Sequence, residues 1–392
     1  MFKRTLQPVL AALAKQYPVV TVTGPRQSGK TTLCRAAFPD KDYVSLENPD
    51  TRDFAINDPR GFLSKHAEGA ILDEIQRAPE LLSYLQTKVD EDPRKGLFIL
   101  TGSQQFQVMS RIDQSLAGRT AILKLLPLSL EELSGQPGVK TPDRMILNGF
   151  YPRIHKDRLD PEQALGDYLE TYVERDLRRI ISVKNLTLFQ KFVKLCAGRV
   201  GGLLNLNSLA GDTGVSHTTA REWMSLLEAG YIVFLLEPYH ANITKRLVKA
   251  PKLYFYDVGL ASRLLGLESE QQVARDPLRG GLFENLAVME ALKYRFNRGK
   301  KSNLSFYRDS RGHEVDLLVG RGPELFPIEI KAGATVAADY FKGLDEFAKV
   351  FPKLRRRGGI VYGGDEETTR NGRPVVTVTG LHGLLKNLDE PR

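Results

Sequence analysis

The sequence predicts an α/β fold built from more than one domain. Three observations carry that expectation. The first third of the chain alternates short apolar runs with helical stretches, the pattern of a parallel sheet covered by helices. One apolar run leads directly into Gly24-Pro25-Arg26-Gln27-Ser28-Gly29-Lys30-Thr31, which matches G-x-x-x-x-G-K-[ST] at every fixed position. The last third carries two strand-like runs with carboxylates, the second ending in Glu-x-Lys. At 392 residues the chain is long enough for two or three domains of roughly 150 residues each.

The elements follow in order. Leu6, Val9, Leu10 and Leu13 are spaced for one face of an N-terminal helix. Strands are expected at 19–23, 42–46, 69–73, 97–101 and 120–124. Val19 to Thr23 feeds the Gly-rich loop, and Thr32 to Ala37 opens a helix. In that context the glycines let backbone N–H groups face an anion, and the helix dipole favours it. Gly24 to Thr32 is therefore the expected cradle for ATP, with Lys30 at the β- and γ-phosphates and the Thr31 hydroxyl on Mg²⁺. The run Gly69 to Leu72 ends in Asp73 and Glu74, where a parallel strand opens onto its ligand crevice. Asp73 is placed to hold Mg²⁺ and Glu74 to orient and polarise the attacking water. Leu97 to Gly102 ends in Ser103, which either bonds that water or the γ-phosphate, or is an ordinary turn hydroxyl. Ser129 and Glu132 read as a capping box starting a helix to Leu133, and Gly135-Gln136-Pro137-Gly138 breaks it.

The middle of the chain is helical from about 145 to 200. Tyr168, Leu169, Tyr172 and Val173 share a face, followed by mixed charges from Glu174 to Arg179. From 206 to 257 the pattern is a winged helix-turn-helix. Ser208 to Val215 gives the first helix and turn, Ser216 caps a second helix over His217 to Ala229, and Tyr231–Leu236 and Leu253–Tyr256 form the wing. Ala220, Trp223, Leu226 and Leu227 face the core, while His217, Thr218, Thr219 and Arg221 project where DNA contacts are made. The competing reading is a helical module that packs on protein.

In the last third a helix from Leu282 to Tyr294 carries Glu284. Glu314 to Val319 is a strand bearing Asp316, and Phe326 to Lys331 is the next. Alternation puts Glu329 and Lys331 on one strand face, and a hairpin through Gly322 brings Asp316 beside them. Asp316 and Glu329 are thus candidate Mg²⁺ ligands of a nuclease-like site, with Lys331 beside the nucleophile. The alternative is the same fold with charges and no cleavage.

Net charge is +9 and favours an anionic partner, most simply DNA. Lys293, Arg295, Arg298, Lys300 and Lys301 form one basic cluster, expected to guide a phosphate backbone, and Lys353, Arg355, Arg356 and Arg357 another. Cys34 and Cys196 show no metal-ligand spacing and fit a reducing, cytoplasmic setting. The apolar run after Met1-Phe2-Lys3-Arg4 is too short for a signal peptide, and no stretch approaches a membrane span.

The expected domains are 1–135, a P-loop ATPase; 136–205, a helical linker; 206–257, the winged helix; and 258–392, the nuclease-like domain. With Gly24 to Thr32, Leu46-Glu47-Asn48-Pro49, Asp58 to Leu63, Ile71 to Gln76, Leu100 to Ser103, Ser115 to Arg119 and Arg308 to Asp316, the whole chain resembles a bacterial and archaeal family. That family joins an AAA-type ATPase to a C-terminal domain of unknown function. The resemblance implies ATP binding on an AAA-type core. It also implies a restriction-endonuclease-like C-terminal fold, with Glu284, Asp316, Glu329 and Lys331 in its pattern. In AAA-type enzymes a neighbouring subunit often supplies an arginine to the γ-phosphate. Arg119 is the first candidate and Arg111 the second, which implies a homo-oligomer. Three functional readings compete: an ATP-driven DNA-processing machine, a nucleotide-gated regulator or scaffold with an inert nuclease-like domain, and a metabolic kinase. The third leaves the winged-helix and Glu-x-Lys segments unexplained.

Overall fold

Alternation in the first third produces a five-stranded parallel sheet. The computed structural model describes residues 2–103, 116–136, 139–171, 185–239, 250–352 and 358–389. They divide into two compact units: residues 1–128 with 229–231 and 296–300, and residues 129–228 with 232–295 and 301–392.

The first unit runs α1 (Gln7–Ala14), β1 (Val19–Thr23), α2 (Lys30–Ala37), β2 (Asp42–Ser45), α3 (Pro49–Asn57), α4 (Pro59–Lys65), β3 (Ala70–Asp73), α5 (Leu81–Glu91), β4 (Phe98–Gly102) and β5 (Thr120–Lys124). The strand order is β2-β3-β4-β1-β5, all parallel. Successive residues of a strand face opposite sides of the sheet. Val19 joins Leu72, Leu100 and Leu85 in one core, while Val20 and Val22 join Leu10, Leu33, Ile71 and Ile99 in the other. Each fully buried aliphatic side chain contributes about 1.5–3 kcal/mol. Burial on both faces explains why β1 and β4 are largely apolar, with the buried threonines Thr21, Thr23 and Thr101 as their polar members.

The second unit begins with α6 (Pro142–Asn148), α7 (Pro152–Asp157), α8 (Pro161–Tyr168) and α9 (Leu186–Ala197). Phe189 and Phe192 of α9 meet the Trp223 ring edge-on at 5.3 and 5.4 Å. Next come α10 (Leu206–Thr213), α11 (His217–Ala229) and the antiparallel pair β6 (Val233–Leu236) and β7 (Lys252–Phe255). Then α12 (Val258–Leu264), α13 (Glu270–Arg275) and α14 (Arg279–Phe296) precede β8 (Leu304–Arg308), β9 (Glu314–Arg321), β10 (Glu324–Lys331), α15 (Lys342–Val350), β11 (Gly359–Tyr362), β12 (Thr368–Arg370), β13 (Arg373–Thr377) and α16 (Leu381–Asp389). These strands form a six-stranded sheet in the order β12-β13-β11-β10-β9-β8. β8, β9 and β10 are an antiparallel meander, and β11 lies parallel to β10. Phe341, Leu344 and Phe347 pack on Val315, Leu318 and Ile360 to form its core.

Three expectations need correction or limits. Ser129 and Glu132 do close a capping box, with Ser129 N–H donating to Glu132 Oε2 at 3.0 Å and Glu132 N–H to Ser129 Oγ at 3.3 Å. The segment nevertheless forms a turn, because Gly135 stops it within two turns of the cap and so short a helix does not hold. The basic cluster at 293–301 is not a uniform exposed stripe. Lys293 is buried, pairs with Glu290 at 2.8 Å and lies 3.8 Å from the Phe150 ring centroid. Arg295 pairs with Asp389 at 3.6 Å. The second cluster, Arg111 and residues Tyr172 to Arg179 lie outside the described residues. Among the described residues no helix is long and apolar enough to cross a membrane.

Candidate functional site

The loop between β1 and α2 is shaped by two glycines. Gly24 has φ +147°, and a Cβ there would lie 2.0 Å from the Leu125 carbonyl oxygen. Gly29 has φ +91° and starts α2 in the left-handed region that side chains disfavour. Lys30 is buried, and its Nζ donates to the carbonyls of Gly24 at 3.0 Å and Pro25 at 2.7 Å. Burial brings its ammonium down to about 8, against the charges of Glu74 and Asp73 that raise it. The Ser28 hydroxyl is buried in the same loop. Behind the loop, Arg4 donates to the carbonyls of Ser28 at 2.7 Å and Leu126 at 2.8 Å.

The carboxylates expected beside this loop are there. Thr31 Oγ1 donates to Asp73 Oδ1 at 2.9 Å and Oδ2 at 3.1 Å. Tyr43 adds its hydroxyl to Oδ2 at 2.8 Å, and Thr101 Oγ1 bonds Oδ1. Burial, then the Asp73 hydrogen bond, push the Tyr43 phenol up to about 12, so it donates at neutral pH. Glu74 adopts a left-handed conformation, φ 58° and ψ 48°, which turns the chain sharply at the end of β3. Its N–H donates to Thr101 Oγ1 at 3.2 Å. Its carboxylate accepts from Ser103 Oγ at 3.2 Å and from Gln76 Nε2, which also reaches Ser103 Oγ at 3.1 Å. Sequence reasoning missed Tyr43, Gln76, Thr101 and Arg4.

Arg119 is not with them. It precedes β5, level with Val19 at the start of β1, whose N–H bonds the Arg119 carbonyl at 3.3 Å. The loop leaves the other end of the same strand. Arg119 instead grips Asp90 with Nε and Nη2 at 2.5 and 2.9 Å.

The C-terminal constellation also assembles, with an uninvited member. Asp316 on β9 accepts from the Ile330 N–H at 2.9 Å and from Lys331 Nζ at 3.1 Å, and Lys331 also holds Glu329 Oε2 at 2.5 Å. Glu284 approaches from α14. Lys252 of β7 enters between them: its Nζ lies 2.6 Å from Glu284 Oε1 and 3.6 Å from Asp316 Oδ1, and pairs with Glu314 Oε1. Tyr254 donates to Glu284 Oε1 at 2.5 Å. Burial, then the Asp316 charge, raise Glu284 to about 7 and Glu329 to about 8. Burial also opposes charge on Asp316, but the Lys252 and Lys331 ammoniums outweigh it and hold its carboxyl below the usual range. Burial pulls Lys252 down, yet Glu284, Asp316 and Glu314 prevail and keep it charged. The signal available in the sequence was a lysine opening the otherwise apolar strand Leu253-Tyr254-Phe255.

Three family models match the chain: an AAA domain over residues 16–134, a domain of unknown function (DUF8612) over 139–271 and another (DUF4143) over 279–381. Two mycobacterial proteins, the uncharacterized protein Rv2008c of Mycobacterium tuberculosis and the uncharacterized protein Mb2031c of Mycobacterium bovis, are each 32% identical over 322 residues, 81% of this chain and 71% of theirs. Among solved structures, the Walker-type ATPase of Pyrococcus abyssi is 15% identical, covering 67% of this chain and 96% of its own, with a TM-score of 0.45.

Proposed function

This chain belongs to an AAA-type ATPase family together with the two mycobacterial proteins, and from that premise we propose that it binds ATP in the 24–32 loop and hydrolyses it with Glu74. The observation that carries the reading is the pairing of two carboxylates with two different tasks at the end of β3. Asp73 is fixed by Thr31, Tyr43 and Thr101, and Glu74 by Gln76 and Ser103. Thr31 and Asp73 already share a hydrogen bond, so the pair suits a hard cation between them, and Mg²⁺ held there would neutralise charge on the β- and γ-phosphates. Lys30 exchanges loop carbonyls for phosphate oxygens. Glu74 takes the proton of the attacking water, and Ser103 orients that water.

The rest of the reading is that hydrolysis is coupled to DNA. A short helix, a turn at Gly214, a second helix whose Thr219 N–H bonds the Ser216 hydroxyl at 3.1 Å, and the β6–β7 pair support a winged-helix module. Thr218 and Arg221 are exposed on it. Two buried free cysteines fit a reducing compartment. ATP turnover should rise several-fold with single-stranded, duplex or branched DNA, and the stimulation should collapse between 50 and 200 mM salt. Equal rates with and without every DNA form would leave the nucleotide-gated regulator as the reading.

A specific observation also favours an inert C-terminal domain. The order α14, the β8–β9–β10 meander, α15 and parallel β11 supports a nuclease-like fold. The placement of Lys252 speaks against cleavage.

A further inference from the structure

We propose that the ammonium of Lys252 takes the place of a divalent cation in the C-terminal carboxylate cluster, closing it to metal and making it a clasp that ties β7 to the sheet. Asp316 and Glu329, the residues expected to hold Mg²⁺, do not fit that ion in the arrangement seen. A divalent ion needs carboxylate oxygens converging at about 2.0–2.6 Å on a vacant point. The oxygens of Glu284, Glu314 and Asp316 do converge, but on Lys252 Nζ. Three of the remaining oxygens are held as well. Asp316 Oδ2 accepts from Lys331 and the Ile330 N–H, Glu329 Oε2 from Lys331, and Glu314 Oε2 from Arg308 at 3.0 Å. Glu329 Oε1 is buried with no hydrogen-bond partner, facing the spot where a Cβ on Gly343 would lie. Among the described residues no group of three or more His, Cys, Asp or Glu is arranged for a metal.

Charge points the same way. Lys252, Lys331 and Arg308 face Glu284, Glu314, Asp316 and Glu329, so three cations meet four carboxyl groups without any ion, and Glu329, raised to about 8, is mostly neutral at pH 7. Buried carboxylates are tolerated only when so compensated.

Lys252 is not a surface side chain that has folded inward. Its side chain is 3% exposed. Its backbone is fixed on two sides, by the β6 ladder opposite Leu236 and by a bridge to Leu203. On either side of it, the Leu204 N–H donates to the Pro251 carbonyl at 2.8 Å and the Leu253 N–H to Gly202 at 2.9 Å. Tyr254, two residues on and so on the same strand face, reaches the same glutamate, and the Phe306 ring lies 5.6 Å from the ammonium. The strand delivers the cation as part of the fold.

Mn²⁺ binding to the full chain is measured by equilibrium dialysis without nucleotide, in an Asp73→Asn background that silences the first unit's site. The Lys252-containing protein is expected to bind no Mn²⁺ that depends on Asp316. Lys252→Met, of similar length and uncharged, is expected to gain a Mn²⁺ site where the Lys252 protein has none. Adding Asp316→Asn should remove it. Lys252→Arg keeps the charge and should stay metal-free. Asp316-dependent Mn²⁺ binding with Lys252 intact overturns the proposal, whether or not Lys252→Met folds. A folded Lys252→Met protein that gains no site overturns it too.

Discussion

Lys30 rests on the carbonyls of its own loop, so its ammonium is already held where phosphate oxygens would replace those acceptors. Hydrogen bonds to a charged group are each worth about 1.5–3 kcal/mol, and Lys30→Ala should weaken nucleotide binding by about 100-fold. Fluorescent-nucleotide titration checks this. Glu74→Gln should keep that affinity, because the amide is isosteric, and lose hydrolysis by about 100-fold or more, because it is a poor base. Normal phosphate release by the Glu74→Gln protein would remove Glu74 from the mechanism. The residues tested here were legible because a fixed spacing tied them to a loop or a strand end. Tyr43, Thr101 and Gln76 were not, since each reaches Asp73 or Glu74 through sheet order or a turn that spacing does not encode. Lys252 was hidden for the same reason, its partners lying on α14 and β9.

Elements show the same division. The five strands of the first unit fall within a residue of their expected bounds, and β1, β3 and β4, buried at every position, leave largely apolar runs. The helix α11 matches from His217 to Ala229, because Ser216 and Gly230 mark its ends. What failed was exposure: Lys293 looked like part of a basic surface, but at i, i+3 from Glu290 it lies on the buried face of α14. Arg4, ahead of α1, was likewise unread. It ties the loop to the segment after β5, and Arg4→Met should cost about 3 kcal/mol by leaving the Ser28 and Leu126 carbonyls without that donor. Denaturant unfolding and ADP affinity should both weaken; unchanged values in both would mean that the loop holds its own shape. In the second unit, His382 on α16 has Nε2 3.2 Å and Nδ1 3.4 Å from the carboxylates of Glu290 and Glu131, with Tyr294 against its ring and Lys293 on the far side of Glu290. Burial opposes its charge, but the two carboxylates raise it to about 9. A raised histidine stabilises fully below its unfolded value, about 6.5, and the gain is lost as pH climbs to 9. The second unit should therefore lose roughly 3 kcal/mol over that window, a slope that His382→Gln should flatten in thermal melts.

At the scale of the whole molecule, the question is whether one chain makes a complete ATPase. Arg119 bears on it. Within its own chain it stands at the start of β5, while the loop leaves the end of β1, a strand of five residues or about 16 Å away. An arginine there does not serve its own γ-phosphate. It holds Asp90 on the surface, a pairing that a neighbouring subunit's nucleotide can exchange for a stronger one. If copies of this chain associate head to tail, each loop receives Arg119 from the next copy. Arg119→Ala should then bind ATP normally and hydrolyse it slowly. The decisive measurement mixes Arg119→Ala with Glu74→Gln protein. Each alone is defective at every site. In a random equal mixture, a site works when its own subunit keeps Glu74 and its neighbour keeps Arg119, which happens at about one interface in four. Phosphate release should therefore recover to about a quarter of the wild-type rate. Recovery should vanish when the mixture is diluted below the association range seen by light scattering. A mixture that is oligomeric by scattering and still inactive would place Arg119 with Asp90 for structural reasons, and the arginine facing the γ-phosphate would have to come from elsewhere in the chain.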